Sequence, residues 1–203
     1  MKSLSEIDTV SKRSTKAAGF SWGIAEEVGK NVRLLELFGL PGIKNLNDFY
    51  KKKKKHQFDK LNLIIKDNKI SKFEYCPIIA GTSFLDQIRS LEILNEIKLE
   101  KIAYPLLVLP FVSRASELIG KRIFLKFDNN EFLLNFNNNI YSNFKKNEII
   151  ELGNIVNIKF LENEDSFNEN EWNQLYKLSE NTFVEENESL KQTGAGAGLT
   201  DND

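Results

Sequence analysis

The chain of 203 residues is 41% hydrophobic and 11% aromatic, enough for one packed domain held without staples. One cysteine (Cys76) and one histidine (His56) argue against an internal disulfide and a structural zinc site, and the longest apolar run, residues 104–112, is broken by Pro105 and Pro110 and falls well short of the ~20 residues of a membrane helix. The formal net charge of −1 and the polar start MKSLSEIDTVSKRS, which lacks the apolar core of a secretory leader, point to a cytoplasmic protein with neither a membrane nor a metal partner.

Ser3 and Glu6 form a capping-box pattern, in which hydroxyl and carboxylate satisfy the orphan amides of a helix start. The helix it predicts carries a short apolar stripe of Leu4, Ile7 and Val10 and ends at Gly19. A second helix starts at Ser21, keeps Ile24, Val28, Val32 and Leu35 on one face, and stops at Gly39 before the Leu40-Pro41-Gly42 turn. A shorter helix follows, with Ile43, Leu46, Phe49 and Tyr50 as its buried side. The five lysines 51–55 read as a solvated connector: a nucleic-acid surface needs further basic clusters interleaved with aromatics, so no nucleic-acid partner is expected. Residues 61–65 read as a short strand with 67–69 as its turn, and a helix is expected over about 84–97.

The middle reads as antiparallel β. Residues 103–111 form a buried apolar run whose prolines suggest strand ends or an edge, and 113–119 a short helical connection. Residues 122–127 and 131–136 flank the hairpin turn Asp128-Asn129-Asn130, and 154–161 alternate as a third strand. The chain holds 23 Asn beside abundant Lys and Ile, the bias of an AT-rich genome, so the Asn-rich residues 136–143 read as drift in a loop. A last helix over about 169–183 is expected to bury Trp172, Leu175, Tyr176 and Leu178. Helices, then strands, then a helix make an α+β protein: N-terminal helices, a central, mainly antiparallel β-meander, a C-terminal helix and a Gly-rich acidic tail. Residues 1–184 would be one domain and 185–203 the tail.

Three segments carry residues with chemical potential. In the second helix, Gly29 costs about 1 kcal/mol against Ala, which close approach of another backbone or a ligand would explain. Glu26 and Lys30, spaced i, i+4, are expected to pair, leaving Glu27 as the freer carboxylate and candidate general acid or base. Trp22 is then a binding wall; otherwise it is core and both glutamates are solvated. The second segment is Cys76-Pro77 with Ala80-Gly81-Thr82-Ser83. A thiolate needs a base or a positive field; with no convincing partner Cys76 reads as a small buried hydrophobe, and Thr82 as a ligand contact at a turn of small residues.

The third segment is the C-terminus. Residues 1–161 hold 26 basic and 18 acidic side chains, a balance of +8, whereas 162–203 hold 2 and 11, a balance of −9. The sequence closes on a glycine hinge and an anionic tip, GAGAGLTDND. This end is read either as a solvated tail or as a docking element in which Leu199, Thr200, Asp201 and Asp203 enter a basic or amide-lined pocket of this chain or of a partner.

Taken together, GFSWGIAEEVGKNVRLLELFGLPG, CPIIAG and GAGAGLTDND, in that order, resemble a bacterial family known as domain of unknown function 3726. The resemblance spans essentially the whole chain and draws attention to these motifs, but implies no activity, fold or cofactor. Two functions stay open: a small enzyme or small-molecule-binding protein with a pocket between the Trp22/Glu27 helix, the Cys76-to-Thr82 turn and the tail, or a non-catalytic accessory protein that presents its tail to a partner enzyme. Only the former requires the three segments to converge.

Overall fold

Both halves of the first capping box form: the Glu6 amide donates to Ser3 Oγ at 3.2 Å and the Ser3 amide to Glu6 Oε2 at 2.8 Å. They open α1 (Leu4–Ala17), and Ser21, accepting from the Ile24 amide, opens α2 (Trp22–Leu37). Gly19 and Gly39 follow these helices with left-handed φ of 94° and 70°, the conformation that ends a helix most cheaply. The third helix, α3 (Gly42–Lys53), runs further than the sequence suggests. Lys51–Lys53 are its last turn, favoured there by the helix dipole, and not a connector: Lys52 bridges to Glu74 at 2.8 Å and Lys53 donates to the Ala18 carbonyl at 3.0 Å.

The computed structural model describes residues 2–61, 73–145 and 148–183, so the strand and turn expected within 61–69 lie, apart from Leu61, outside the described residues. Its contacts divide the chain into two compact units, Met1–Asn163 and Glu164–Asp203.

In the first unit, α4 (Pro77–Asp86) and α5 (Ile88–Leu91) precede β1 (Glu96–Ala103), a strand where the sequence suggested the end of a helix. The apolar run expected as a strand instead forms a 3-10 turn, Pro105–Leu107, and the start of α6 (Leu109–Ile119). Its burial is as expected, but its prolines occupy first-turn positions, where a missing N–H is harmless and the fixed φ suits the helix. The strands β2 (Arg122–Phe127) and β3 (Asn130–Asn135) make the expected hairpin, and β4 (Asn139–Ser142) extends the meander into the Asn-rich stretch. The last strand, β5 (Leu152–Leu161), returns between β1 and β2, giving a fully antiparallel sheet of order β1-β5-β2-β3-β4.

One face of this sheet is apolar and buried: Leu99, Ile123, Leu125, Phe127, Phe132, Leu134, Val156 and Ile158 all lie on it. Helix α6 packs on β2 and β3 and against α4; α2 lies on both helices, and α1 lies on α2. The layers touch closely at α4 and α6, where a side chain at Gly81 would run into the Phe111 ring. The first unit is thus an α+β fold with its helices on one side of an antiparallel sheet.

The second unit contains α7 (Glu169–Ser179) and a 3-10 turn, Glu180–Thr182. Asn168 and Glu171 build a second complete capping box. Trp172, Leu175, Tyr176 and Leu178, expected in the core, are exposed, and α7 has no buried residue. Its apolar content is real, but a helix face is buried only where another element covers it.

Candidate functional site

The segments flagged around the second helix and around Cys76 do meet, though through different side chains from those expected. Tyr75 is stitched to the end of β1, its amide donating to the Lys101 carbonyl at 2.8 Å and its carbonyl accepting from the Ala103 amide at 3.1 Å. The next amide, that of Cys76, donates to the Asp59 carbonyl at 2.9 Å. Cys76 is thereby fixed as the residue that opens α4, with Pro77 in the first turn and no side-chain cap on the helix amides. Beside it lies a cleft of about 410 Å³, bordered by Ser21 and Ile24 at the start of α2, Lys53 at the end of α3, His56 and Lys60 on the following loop, and Cys76 and Ile79.

The electrostatics of this cleft are one-sided. Three basic side chains line it and no acidic one does among the described residues. The Lys53 ammonium is held by the Ala18 carbonyl and lies 5.2 Å from the Phe20 ring centre, a cation–π geometry. Burial pushes the Cys76 thiol up from its ordinary range; the Ile78 and Ile79 amides, Lys53 and Lys60 pull the other way without overcoming it. At neutral pH the sulfur is therefore a protonated, packed group, in keeping with a structural cysteine.

The named candidates lie elsewhere. Glu27, expected to be the freer carboxylate, is the engaged one: Oε1 accepts from Lys30 at 3.1 Å and Oε2 from the Arg114 guanidinium of α6. Glu26 is exposed, and the expected Glu26–Lys30 pair is replaced because Glu27, not Glu26, faces α6. Trp22 is 56% exposed with the Lys16 ammonium 5.5 Å from its ring centre, and does not line the cleft. Gly29 is buried at the crossing of α1 and α2, where an added Cβ would sit 2.9 Å from the Asp8 carbonyl oxygen; helix approach accounts for this glycine. The Thr82 hydroxyl is turned back onto its own helix, donating to the Ile78 carbonyl at 2.7 Å. Leu199, Thr200, Asp201 and Asp203 lie outside the described residues.

Sequence reasoning passed over Lys53 and Lys60 because both sit in lysine-rich surroundings, and over Arg114 because nothing local marks it. The usable signal was positional: a lysine in the last turn of an amphipathic helix is placed where its ammonium can reach a preceding loop. Among the described residues no group of three or more His, Cys, Asp or Glu side chains gathers in a way that would hold a metal ion, and no helix is long and apolar enough to cross a membrane.

Residues 2–74 match the model of a family described as "Protein of unknown function (DUF3726)". This supports the resemblance seen in the sequence over α1–α3, while CPIIAG and the terminal GAGAGLTDND lie beyond the matched residues. No curated protein and no solved structure matches the chain.

Proposed function

We propose that the chain is a binding protein for a small anionic molecule, taken into the cleft where the start of α2, the end of α3 and the start of α4 meet. The observation that carries this is the lining: Lys53, His56 and Lys60 with no opposing carboxylate among the described residues. The start of α4, whose Ile78 and Ile79 amides lie against the Cys76 sulfur, adds the positive end of a helix dipole at the same border. Binding without chemistry is favoured because burial keeps the cleft's thiol protonated and both oxygens of Glu27, the candidate general base, are occupied outside it. A cytoplasmic location fits a lone reduced cysteine.

Calorimetric titration of the full chain with inorganic phosphate and with citrate tests the proposal. At least one should bind with an affinity that falls steeply with salt, and Lys60→Glu, a change at an exposed position, should weaken it roughly tenfold. Mass spectrometry of the natively purified protein should find an acid bound. Titrations that show no saturation with either anion, or a Lys60→Glu variant that binds as well as the parent, would remove the assignment.

The accessory reading is favoured by a separate observation, the exposed Trp172, Leu175, Tyr176 and Leu178 of α7 within a strongly acidic stretch. On that reading α7 and the terminal residues together engage a partner protein whose apolar groove has a basic rim. Leu175→Glu should then abolish co-purification of that partner, and an unchanged co-purification would reject it.

A further inference from the structure

A second cleft lies wholly within the matched three-helix segment, between α1 and the turn that joins α2 to α3. It measures about 590 Å³ and is walled by Val10 on α1 and by Leu40, Pro41, Ile43 and Leu46 across from it. Further along α1 it adjoins another hollow of about 690 Å³, sharing Val10, Glu36 and Ile43. Val10 and Ile43 are 60% and 39% exposed, so this groove presents apolar surface to solvent.

The polar side chains of the groove are arranged in a way that leaves one of them unmet. Tyr50 donates its hydroxyl to Thr15 Oγ1 at 2.6 Å, and Thr15 Oγ1 donates to the Ser11 carbonyl at 2.7 Å. Ser14 Oγ donates to that same carbonyl at 3.0 Å. The hydroxyl of Ser11 itself is buried and has no hydrogen-bond partner, although Ser11 is part of the cleft wall. A buried hydroxyl without a partner is costly and uncommon, and a hydrogen-bonding group brought in from outside would relieve it.

Charge narrows the identity of that group. Across the two hollows the charged side chains among the described residues are Lys2, Lys44, Glu6 and Glu36, two cations against two anions. Lys2 and Glu6 are paired with each other at 3.6 Å, and Glu36 Oε1 accepts from the Ile43 amide at 2.8 Å. Such a lining gives no net attraction to an ionic head group, in contrast to the basic cleft beside Cys76. An apolar wall, one unmet hydroxyl and balanced charge fit an uncharged amphiphile.

We propose that this groove is a second binding site, for a neutral aliphatic molecule carrying a hydroxyl or carbonyl group that bonds to Ser11. The ligand would lay its chain along Val10 and Ile43.

The test uses the full chain with Nile red as an uncharged fluorescent probe, displaced by 1-decanol or by decanoate. Decanol should displace the probe saturably, and decanoate at least about tenfold more weakly. Val10→Glu changes an exposed residue, so it leaves the fold intact as judged by circular dichroism, and it should abolish probe binding. Ser11→Ala should weaken decanol about fivefold while the probe itself binds as before. Failure of decanol to displace the probe, equal affinity for decanoate, full probe binding by Val10→Glu, or unchanged decanol binding by Ser11→Ala would each overturn the proposal.

Discussion

Helices α1 and α7 begin in the same way and end in opposite circumstances. Each opens on a complete capping box, Ser3 with Glu6 and Asn168 with Glu171. Yet α1 buries Ser11 and Thr15 while Val10 stays 60% exposed, and α7 exposes Trp172, Leu175, Tyr176 and Leu178. The residues that α1 buries are small because α2 comes very close, with Gly29 set against Asp8 and Lys12. Apolar content marks a helix as able to pack; small side chains mark where it does pack closely.

The comparison is broken most forcefully at the crossing itself. Gly29→Leu should destabilise the protein by about 3 kcal/mol, since the new side chain meets the Asp8 carbonyl oxygen of the backbone as well as the Asp8 carboxylate; urea unfolding measures this. Even Gly29→Ala should be destabilising, against the helix propensity that favours Ala. Next in size is Thr15→Val, which leaves the half-buried Tyr50 hydroxyl without its acceptor and should cost about 2 kcal/mol in the same measurement.

Alkaline pH probes the same layer. Burial pushes Tyr50 well above its ordinary value of 10.0. It raises the Cys76 thiol above 9.0 and takes Tyr104 to about 12, where Glu151, Asp48 and Glu74 add repulsion. In each case the folded state holds its proton to higher pH than the unfolded chain. Stability is therefore complete below about 9 and falls as pH rises toward 12. Melting temperatures recorded across that window should drop steadily, and a flat profile would mean these groups are not buried. Iodoacetamide at neutral pH should label Cys76 far more slowly than a free thiol.

The two caps give the sharpest internal control. Ser3→Ala should lower the stability of the first unit by about 1 kcal/mol. Asn168→Ala should lower helical content by circular dichroism while leaving that unit's unfolding midpoint where it was. Smallest of all, Leu175→Gln should shift the midpoint by no more than about 0.5 kcal/mol, because it removes no buried contact.

The helices of the first layer were legible because their ends are written locally: a capping residue before each of α1 and α2, and a glycine after. The α+β class followed from the order of the elements. What misled were segments whose local pattern fits two structures. Residues 103–111 are apolar without a period, so only the placement of Pro105 and Pro110 in first turns, which depends on α6 covering the sheet, separates helix from strand. Strand β1 follows directly on helical sequence with only a short break, and β4 hides in asparagines that look like drift. In the candidate site, one of the two open readings required the second helix and the Cys76 turn to meet through Trp22, Glu27 and Thr82. The cleft where they meet is lined by other side chains, of which the sequence did not single out Lys53 or Lys60. Which carboxylate pairs with Lys30 is decided by Arg114, far away in the sequence, and spacing along one helix cannot contain that information.

The place of β5 in the sheet sets the order in which the protein can be finished. Among the described residues β1 has one strand neighbour, β5, which is also the inner neighbour of β2, besides the bridge from Tyr75 at its end. As the chain leaves the ribosome, the three N-terminal helices and the β2–β3–β4 meander can form from local contacts, but β1 lacks its partner β5 until residues 152–161 emerge. Until then two strand edges, those of β1 and β2, stand open beside the same apolar face. That interval is when the nascent protein is most exposed to pairing with a neighbouring chain, and truncations that end before Leu152 should be aggregation-prone where those that end after Leu161 are not.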